Sequence, residues 1–248
     1  MQFNEAQIQA IQHNTGPCMV IAGPGSGKTT VLTHRVRYLI ERYGVNPSDI
    51  LVITFTKAAA EQMKLKFKGL SEGRNSAVTF GTFHAVFFTI LKAAYNYSAH
   101  CIIKPQIQHE FVKDQMCRLE LEYDDENEAV AGVLSEISCV KGEDVNIDEY
   151  ESRCIPPQSF RIMYRAYDDM LVRKHLIDFD DMIVQCRELL MQREDYRRAW
   201  QNKYKYILID EFQDINKAQF DVVRILADEY RNLFVVGDDD QSIYAFRG

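Results

Sequence analysis

The residues best suited to chemistry lie in the segment 22–30, which reads Ala-Gly-Pro-Gly-Ser-Gly-Lys-Thr-Thr. Its glycines permit backbone angles that turn successive N–H groups toward one anion. The segment follows an apolar run and precedes a predicted helix, whose N-terminus adds partial positive charge. In this setting Lys28 reaches the β- and γ-phosphates of a nucleotide, and the Thr29 hydroxyl binds the accompanying Mg²⁺. The predicted nucleotide-binding residues are Ala22, Gly23, Pro24, Gly25, Ser26, Gly27, Lys28, Thr29 and Thr30.

A glycine-rich turn without a ligand is the alternative interpretation of this segment. A relaxed P-loop pattern arises by chance in roughly one chain of this length in fifty. The first position here is Ala22 instead of glycine, a mild departure. The flanking strand and helix nevertheless favour phosphate binding, because a P-loop joins those two elements.

Two adjacent carboxylates follow a second apolar run. Residues 206–209 predict a buried strand that ends at Asp210 and Glu211. Beside a P-loop, Asp210 would hold Mg²⁺ through water, and Glu211 would orient and deprotonate the attacking water. Two surface acids at a strand end are the alternative, which the P-loop makes weaker. A further strand at 233–236 opens into a polar loop where Gln241 could sense the γ-phosphate.

Small polar groups, an aromatic ring and a lysine follow the strand predicted at 50–53. Thr54 and Lys57 could contact the phosphates of a nucleic-acid strand, and Phe55 could stack on a base. From this segment alone we favour Phe55 as a residue that closes the core. His84, after the next predicted strand, could bond a phosphate or cap the helix that it begins.

Strands and helices alternate to about residue 91 and again from 205, which predicts an α/β fold with a parallel sheet. Residues 92–204 show mainly helical patterns, interrupted by an acidic stretch and a Pro-Pro pair. We therefore predict a helical subdomain inserted into the α/β domain. The acidic run at 178–181 resembles a metal cluster, but we interpret it as a helix start with acidic residues in its first turn.

The 248 residues are 46% hydrophobic and carry a formal net charge of -7. This length and apolar content suffice for a full core in one or two domains. The negative charge argues against electrostatic binding of nucleic acid over the whole surface. It is compatible with a local basic groove. The six cysteines form no Cys-x-x-Cys pair, so we expect reduced thiols and no structural zinc. With neither a membrane-length apolar run nor a signal peptide, we expect a cytoplasmic protein without a membrane partner.

Together, these segments resemble the superfamily 1 DNA helicases of the UvrD, Rep and PcrA type. The Asp-Glu-Phe-Gln-Asp run at 210–214 and the Gly-x-x-Asp-Gln-Ser-Ile-Tyr run at 237–244 are far more specific than a P-loop. The matching stretches follow the family's order and lie at 22–29, 54–63, 81–84, 208–214 and 235–248. The resemblance covers the whole chain and is weakest in the helical insertion.

This resemblance implies a helicase that uses ATP and Mg²⁺ and moves 3′ to 5′ on single-stranded DNA. It implies a RecA-like P-loop NTPase domain at 1–91 and 205–248, an accessory insertion at 92–204, and a second motor domain of the same parent chain as a partner. The implied nucleotide and catalytic residues are Gln7 on adenine, with Lys28, Glu211 and Gln241 in catalysis. The implied metal ligands are Thr29 and Asp210. The implied single-strand contacts are Thr54, Phe55, Lys57, His84, Tyr244 and Phe246.

Some features depart from the family pattern, and others leave an alternative open. Thr30 replaces an arginine common beside the adenine, and Phe246 replaces a tryptophan, so its stacking falls toward the lower end of ~1–3 kcal/mol per base. Cross-cleft arginines of the second motor domain, worth ~10³–10⁵ in turnover, are expected beyond Gly248. We therefore expect weak nucleotide binding and almost no turnover from this chain alone. The alternatives are a plain exposed helix residue at Gln7 and, for the whole, a non-motor scaffold that binds nucleotide and single strands.

Overall fold

A parallel sheet lies at the centre of the protein, whose computed structural model describes residues 3–71 and 77–238. Its strands are β1 (Cys18–Ile21), β2 (Ile50–Thr54), β3 (Thr79–Thr82), β4 (Tyr206–Ile209) and β5 (Leu233–Gly237). They form a five-stranded sheet in the order β1-β5-β4-β2-β3, and every neighbouring pair is parallel. The predicted α/β fold with a parallel sheet is confirmed.

Helices surround this sheet and form the inserted segment. They are α1 (Glu5–Gln12), α2 (Lys28–Tyr43), α3 (Lys57–Leu70), α4 (Phe83–Ala94), α5 (Pro105–Arg118), α6 (Glu126–Glu143), α7 (Pro157–Lys174), α8 (Phe179–Gln192), α9 (Glu194–Lys203) and α10 (Lys217–Ala227). Within the described ranges, none of these helices is long and apolar enough to cross a membrane.

Strand β2 shows how the core is built on both faces of the sheet. All of its residues are buried, as its continuous apolar run requires of a strand covered on both sides. Leu51 and Ile53 share a core with α4, α8, α9 and α10, whereas Ile50 and Val52 share one with α1, α2 and α3. Because the strands are parallel, their carboxyl ends meet at one edge, which carries the segments that follow β1, β2, β4 and β5.

The helical insertion has a core of its own. Side chains of α5, α6 and α7, such as Val112, Val133 and Phe160, form a third hydrophobic cluster. Helices α8 and α9 lie outside that cluster, since Ile183 and Trp200 belong to the core on the sheet. The predicted insertion 92–204 is therefore not one packing unit, and its separate core ends before α8. Helical periodicity identifies a helix, but it does not identify the body against which that helix packs.

The chain enters and leaves the separate helical core at two neighbouring points. Ile102 and Ile177 form an isolated parallel bridge, with hydrogen bonds of 3.0 Å from Ile103 N to Ile177 O and 2.7 Å from Ile177 N to Cys101 O. Asp178 then caps α8, and its carboxylate accepts from the backbone N–H of Asp181 while the Asp181 side chain accepts in return. The structure agrees with the helix-start interpretation of this acidic run.

A buried lysine links the insertion to α8 through ion pairs. The ammonium of Lys141 lies 3.0 Å from carboxylate oxygens of Asp168 and Asp178 and 2.7 Å from Asp181. It also lies 5.2 Å from the centre of the Tyr167 ring. Burial lowers the pKa of Lys141, but the three carboxylates outweigh it and raise the pKa above its usual range. One lysine cannot neutralise all three, and burial with repulsion from Asp178 raises the pKa of Asp181 to about 6.

Candidate nucleotide site and nucleic-acid groove

The P-loop leaves β1 at Ile21 and enters α2 at Lys28. Gly25 and Gly27 have φ values of +70° and +85°, which residues with a Cβ rarely adopt. Gly27 is also the N-cap residue of α2. A glycine cap leaves the first N–H groups of the helix facing the loop, where they suit an anion. This backbone is suited to cradle phosphates.

Lys28 lies inside the loop and has two oxygen partners. Its Nζ donates to the Ala22 carbonyl at 3.0 Å and to Asp238 Oδ2 at 3.1 Å. The side chains are 10% and 2% exposed, so this ion pair is well shielded from solvent. Asp238 follows β5 directly, and the sequence analysis did not single it out. The P-loop lysine is therefore oriented by a carboxylate on a neighbouring strand.

Asp210 and Thr29 meet across the carboxyl edge of the sheet. The Thr29 hydroxyl lies 3.4 Å from Asp210 Oδ2, although the two residues are far apart in sequence. Burial, and then the charge of Glu211, raise the pKa of Asp210 to about 6. Mg²⁺ prefers oxygen ligands and commonly uses one or two protein oxygens together with waters and phosphates. The hydroxyl and carboxylate pair fits that requirement.

Glu211 has an unusual backbone conformation. Its φ of +54° and ψ of +47° lie in the left-handed region, which costs a residue with a side chain roughly 1–2 kcal/mol. Strain of this kind concentrates at functional sites, where surrounding contacts hold it. Here the Glu211 carboxylate accepts a 2.9 Å hydrogen bond from Gln213 Nε2. Glu211 is therefore held at the end of β4, beside Asp210.

Gln7 and Lys66 contact the P-loop through Ser26 and Thr30. Gln7 Nε2 donates to the Ser26 carbonyl at 3.0 Å, and its Oε1 accepts from the backbone N–H of Asn4 at 3.0 Å. Gln7 is thus tied to the loop and is more than an exposed helix residue. Lys66 Nζ lies 3.4 Å from the Thr30 hydroxyl. A cation from α3 therefore lies beside the position where the family pattern has an arginine.

A cavity of about 550 Å³ opens between the sheet domain and the insertion. Phe55, His84 and Phe179 line one part of it, and Ser138 of α6 and Asn216 line another. The His84 and Phe179 rings are 5.2 Å apart and nearly perpendicular, and Phe179 is 53% exposed. Burial lowers the pKa of His84, so its ring is neutral at physiological pH. Asp178 and Asp180 also line the cavity, and an aromatic and acidic lining suits a nucleobase better than a phosphate.

The structure distinguishes among the predicted single-strand contacts. Phe55 and His84 line the cavity, and Thr82, not His84, caps α4 by accepting from the Ala85 N–H. Thr54 is only 1% exposed, and its hydroxyl donates to the Thr56 carbonyl, so it shapes the turn and does not face the cavity. Lys57 is exposed and lies 3.9 Å from Glu61. Gln241, Tyr244 and Phe246 lie outside the described residues.

Comparison with known proteins decides the family. Residues 3–248 match the UvrD/REP helicase N-terminal domain. The chain belongs to the UvrD/REP helicase family. This agrees with the resemblance drawn from the motifs and with the parallel sheet that carries them.

Curated relatives carry helicase names. The chain is 37% identical over 258 residues to the putative ATP-dependent DNA helicase YjcD of Bacillus subtilis. It is 34% identical to the ATP-dependent DNA helicase PcrA of Staphylococcus epidermidis over 258 residues and of Staphylococcus aureus over 255. Each comparison covers 99% of this chain but only 33% or 34% of the relative. The chain thus spans about a third of the length of these relatives.

Four residues at these UvrD/REP-family sites were missed by sequence reasoning: Lys66, Phe179, Gln213 and Asp238. Asp238 had a usable signal, because it follows a buried strand at the same edge as Asp210, but three consecutive aspartates at 238–240 hid which one matters. Phe179 lies within the acidic run 178–181, which we interpreted only as the start of a helix. Gln213 lies within the Asp-Glu-Phe-Gln-Asp run that carried the family resemblance, but its contact with the Asp238 backbone, like that of Lys66 with Thr30, joins distant segments.

Proposed function

We propose that this chain is the ATP-binding first motor domain of a longer helicase that hydrolyses ATP to move 3′ to 5′ on single-stranded DNA. The observation that carries the proposal is the 3.4 Å approach of the Thr29 hydroxyl to Asp210 Oδ2, which joins the P-loop to the strand end that carries Glu211. A pure binding module has no need of a catalytic carboxylate beside the P-loop. The names of the relatives support the same activity.

Each side chain has a chemical task in this proposal. The P-loop N–H groups and Lys28 would bind the triphosphate. Gln7 and Lys66 would lie beside the base and sugar of the nucleotide. Thr29 and Asp210 would hold Mg²⁺, which neutralises charge on the phosphates as the γ-phosphoryl group leaves. Glu211 orients the attacking water and accepts its proton. Gln241, which follows β5 in the sequence, would sense the γ-phosphate.

DNA would bind at the same edge of the sheet. We propose that Phe55, His84 and Phe179 contact bases of a single strand, and that Tyr244 and Phe246 extend this surface. Stacking tolerates any base, which suits a motor that must move along all sequences. A second motor domain of the longer protein would close on both sites and supply arginines to the γ-phosphate. We also propose that the protein works in the cytoplasm, with cysteines reduced.

The test is the ATPase rate of the longer protein with and without single-stranded DNA, measured beside Glu211→Gln. We expect DNA to stimulate the wild type strongly, and Glu211→Gln to lose about 10²–10⁴ in kcat while it still binds ATP. Gln at this position keeps the side-chain volume, so the variant is matched in shape. A wild type without DNA-stimulated turnover, or a Glu211→Gln variant with full activity, would favour the non-motor scaffold.

A further inference from the structure

Gln213 joins the ends of two neighbouring strands. It lies in the short 3₁₀ turn Phe212–Asp214 that follows β4. Its Nε2 donates to Glu211 Oε2 at 2.9 Å, and its Oε1 accepts from the backbone N–H of Asp238 at 3.0 Å. An N–H can only donate and an ionised carboxylate can only accept, so one orientation of the amide satisfies both.

Gly237 permits this close approach. A Cβ at Gly237 would lie 3.1 Å from Gln213 Oε1, closer than almost all Cβ contacts, so a larger residue would push against the Gln213 amide. The next residue, Asp238, accepts from Lys28. One chain of hydrogen bonds therefore runs from Glu211 through Gln213 and Asp238 to the P-loop lysine.

We propose that Gln213 is a positioning residue that holds the Glu211 carboxylate for water activation and keeps it in register with the Lys28 side of the site. The inference rests on the function proposed above. Its physical basis is that Glu211 has a strained backbone, and the donated hydrogen bond fixes the direction of its side chain. The phosphate cradle is built from other residues, so losing Gln213 impairs the chemical step and leaves nucleotide binding intact.

The first variant is Gln213→Met, which keeps the side-chain length and removes the hydrogen bonds to Glu211, to Asp214 and from the Asp238 N–H. The matched control is Gln192→Met, at an exposed glutamine at the end of α8. In the longer protein with single-stranded DNA, we expect Gln213→Met to lower kcat about 10- to 100-fold with KM for ATP nearly unchanged. ADP affinity, measured by calorimetry, stays at the wild-type value. Affinity for ADP with aluminium fluoride, which mimics the transferring phosphoryl group, falls about tenfold.

The second variant, Gln213→Glu, separates the two hydrogen bonds. It keeps an acceptor for the Asp238 N–H but places a second carboxylate against Glu211. Because it lacks the donor to Glu211, it should lower kcat about as far as Gln213→Met does, while the retained contact with the Asp238 N–H leaves KM for ATP nearly unchanged. This variant also decides the matter if Gln213→Met fails to fold.

The outcomes separate the two proposals. An active wild type whose kcat and aluminium fluoride affinity are unaffected by both Gln213 variants overturns the role of Gln213 alone. Loss of ADP affinity in proportion to kcat also overturns it, because that result assigns Gln213 to the cradle. A wild type without DNA-stimulated ATPase refutes the proposed function instead.

Discussion

Replacing Lys141 by methionine tests how the insertion is held on the sheet domain. The Lys141 side chain is 4% exposed, and its ammonium lies within 3.0 Å of oxygens from three aspartates. Lys141→Met keeps much of the apolar stem but leaves those carboxylates without their shared cation. Breaking a buried ion pair from one side costs about 3–5 kcal/mol. For a chain of this size we expect the midpoint of thermal unfolding to fall by roughly 6–20 °C at pH 7.5.

The loss of unfolding free energy in Lys141→Met should be smaller at low pH than at high pH. Asp181 has a pKa raised to about 6, with Lys141 acting to lower it, so removing Lys141 raises that pKa further. A carboxyl whose folded pKa is raised stabilises the folded state less as pH rises through the window from about 4 to above 6. The deficit of Lys141→Met should therefore shrink by about 1–2 kcal/mol between pH 7.5 and pH 5.5. Lys141 itself does not titrate there, because its pKa is raised above its usual range.

The assay is thermal unfolding followed by circular dichroism at both pH values, with Lys174→Met as control. Lys174 is an exposed lysine at the end of α7, so its variant should unfold within about 0.5 kcal/mol of the wild type. Lys141→Met should also weaken single-strand binding, since α8 carries Phe179. A deficit below about 1 kcal/mol, or one that grows on acidification, would refute this account of the cluster.

Three further predictions concern single side chains. Phe179→Ala should weaken binding of single-stranded DNA, measured by fluorescence anisotropy, by about 1–3 kcal/mol without changing ATP affinity; equal DNA affinity would remove Phe179 from the groove. Lys66→Met should weaken ADP binding roughly fivefold, about 1 kcal/mol, whereas Lys64→Met on an exposed face of the same helix should not; equal effects would contradict a specific contact. Burial, with repulsion from Asp178, raises the pKa of Asp180 to about 6. Asp180→Asn should therefore stabilise the fold by about 1–3 kcal/mol at pH 7.5 and not at pH 4, and denaturant unfolding that shows no such pH dependence would contradict it.

The sheet and both halves of the nucleotide site were predictable because their signals are local. The apolar run 206–209 indicates a buried strand. The two acids that follow it at once indicate carboxylates at the end of that strand. Parallel strands bring their carboxyl ends to one edge, so the sequence alone predicts that the P-loop and Asp210 lie together. The family assignment followed from these motifs and their order.

The remaining features depend on contacts between distant segments. Helices α8 and α9 have the same periodicity as the insertion helices, and only packing shows that Ile183 and Trp200 belong to the sheet. The links from Lys28 to Asp238 and from Gln213 to the Asp238 backbone span 210 and 25 residues. Thr54 was assigned to DNA by its type and position, but its buried hydroxyl is used by the turn. A single sequence does not encode such pairings in a readable pattern.

The central claim is that ATP hydrolysis at this site drives movement along single-stranded DNA. The most direct measurement is stopped-flow translocation of the longer protein on oligodeoxythymidylates of increasing length, with a fluorophore at the 5′ end or the 3′ end. We predict an ATP-dependent signal at the 5′ end whose delay grows with length, absent in Glu211→Gln. A signal independent of length, or identical with both labels, would contradict the claim even if ATP is hydrolysed.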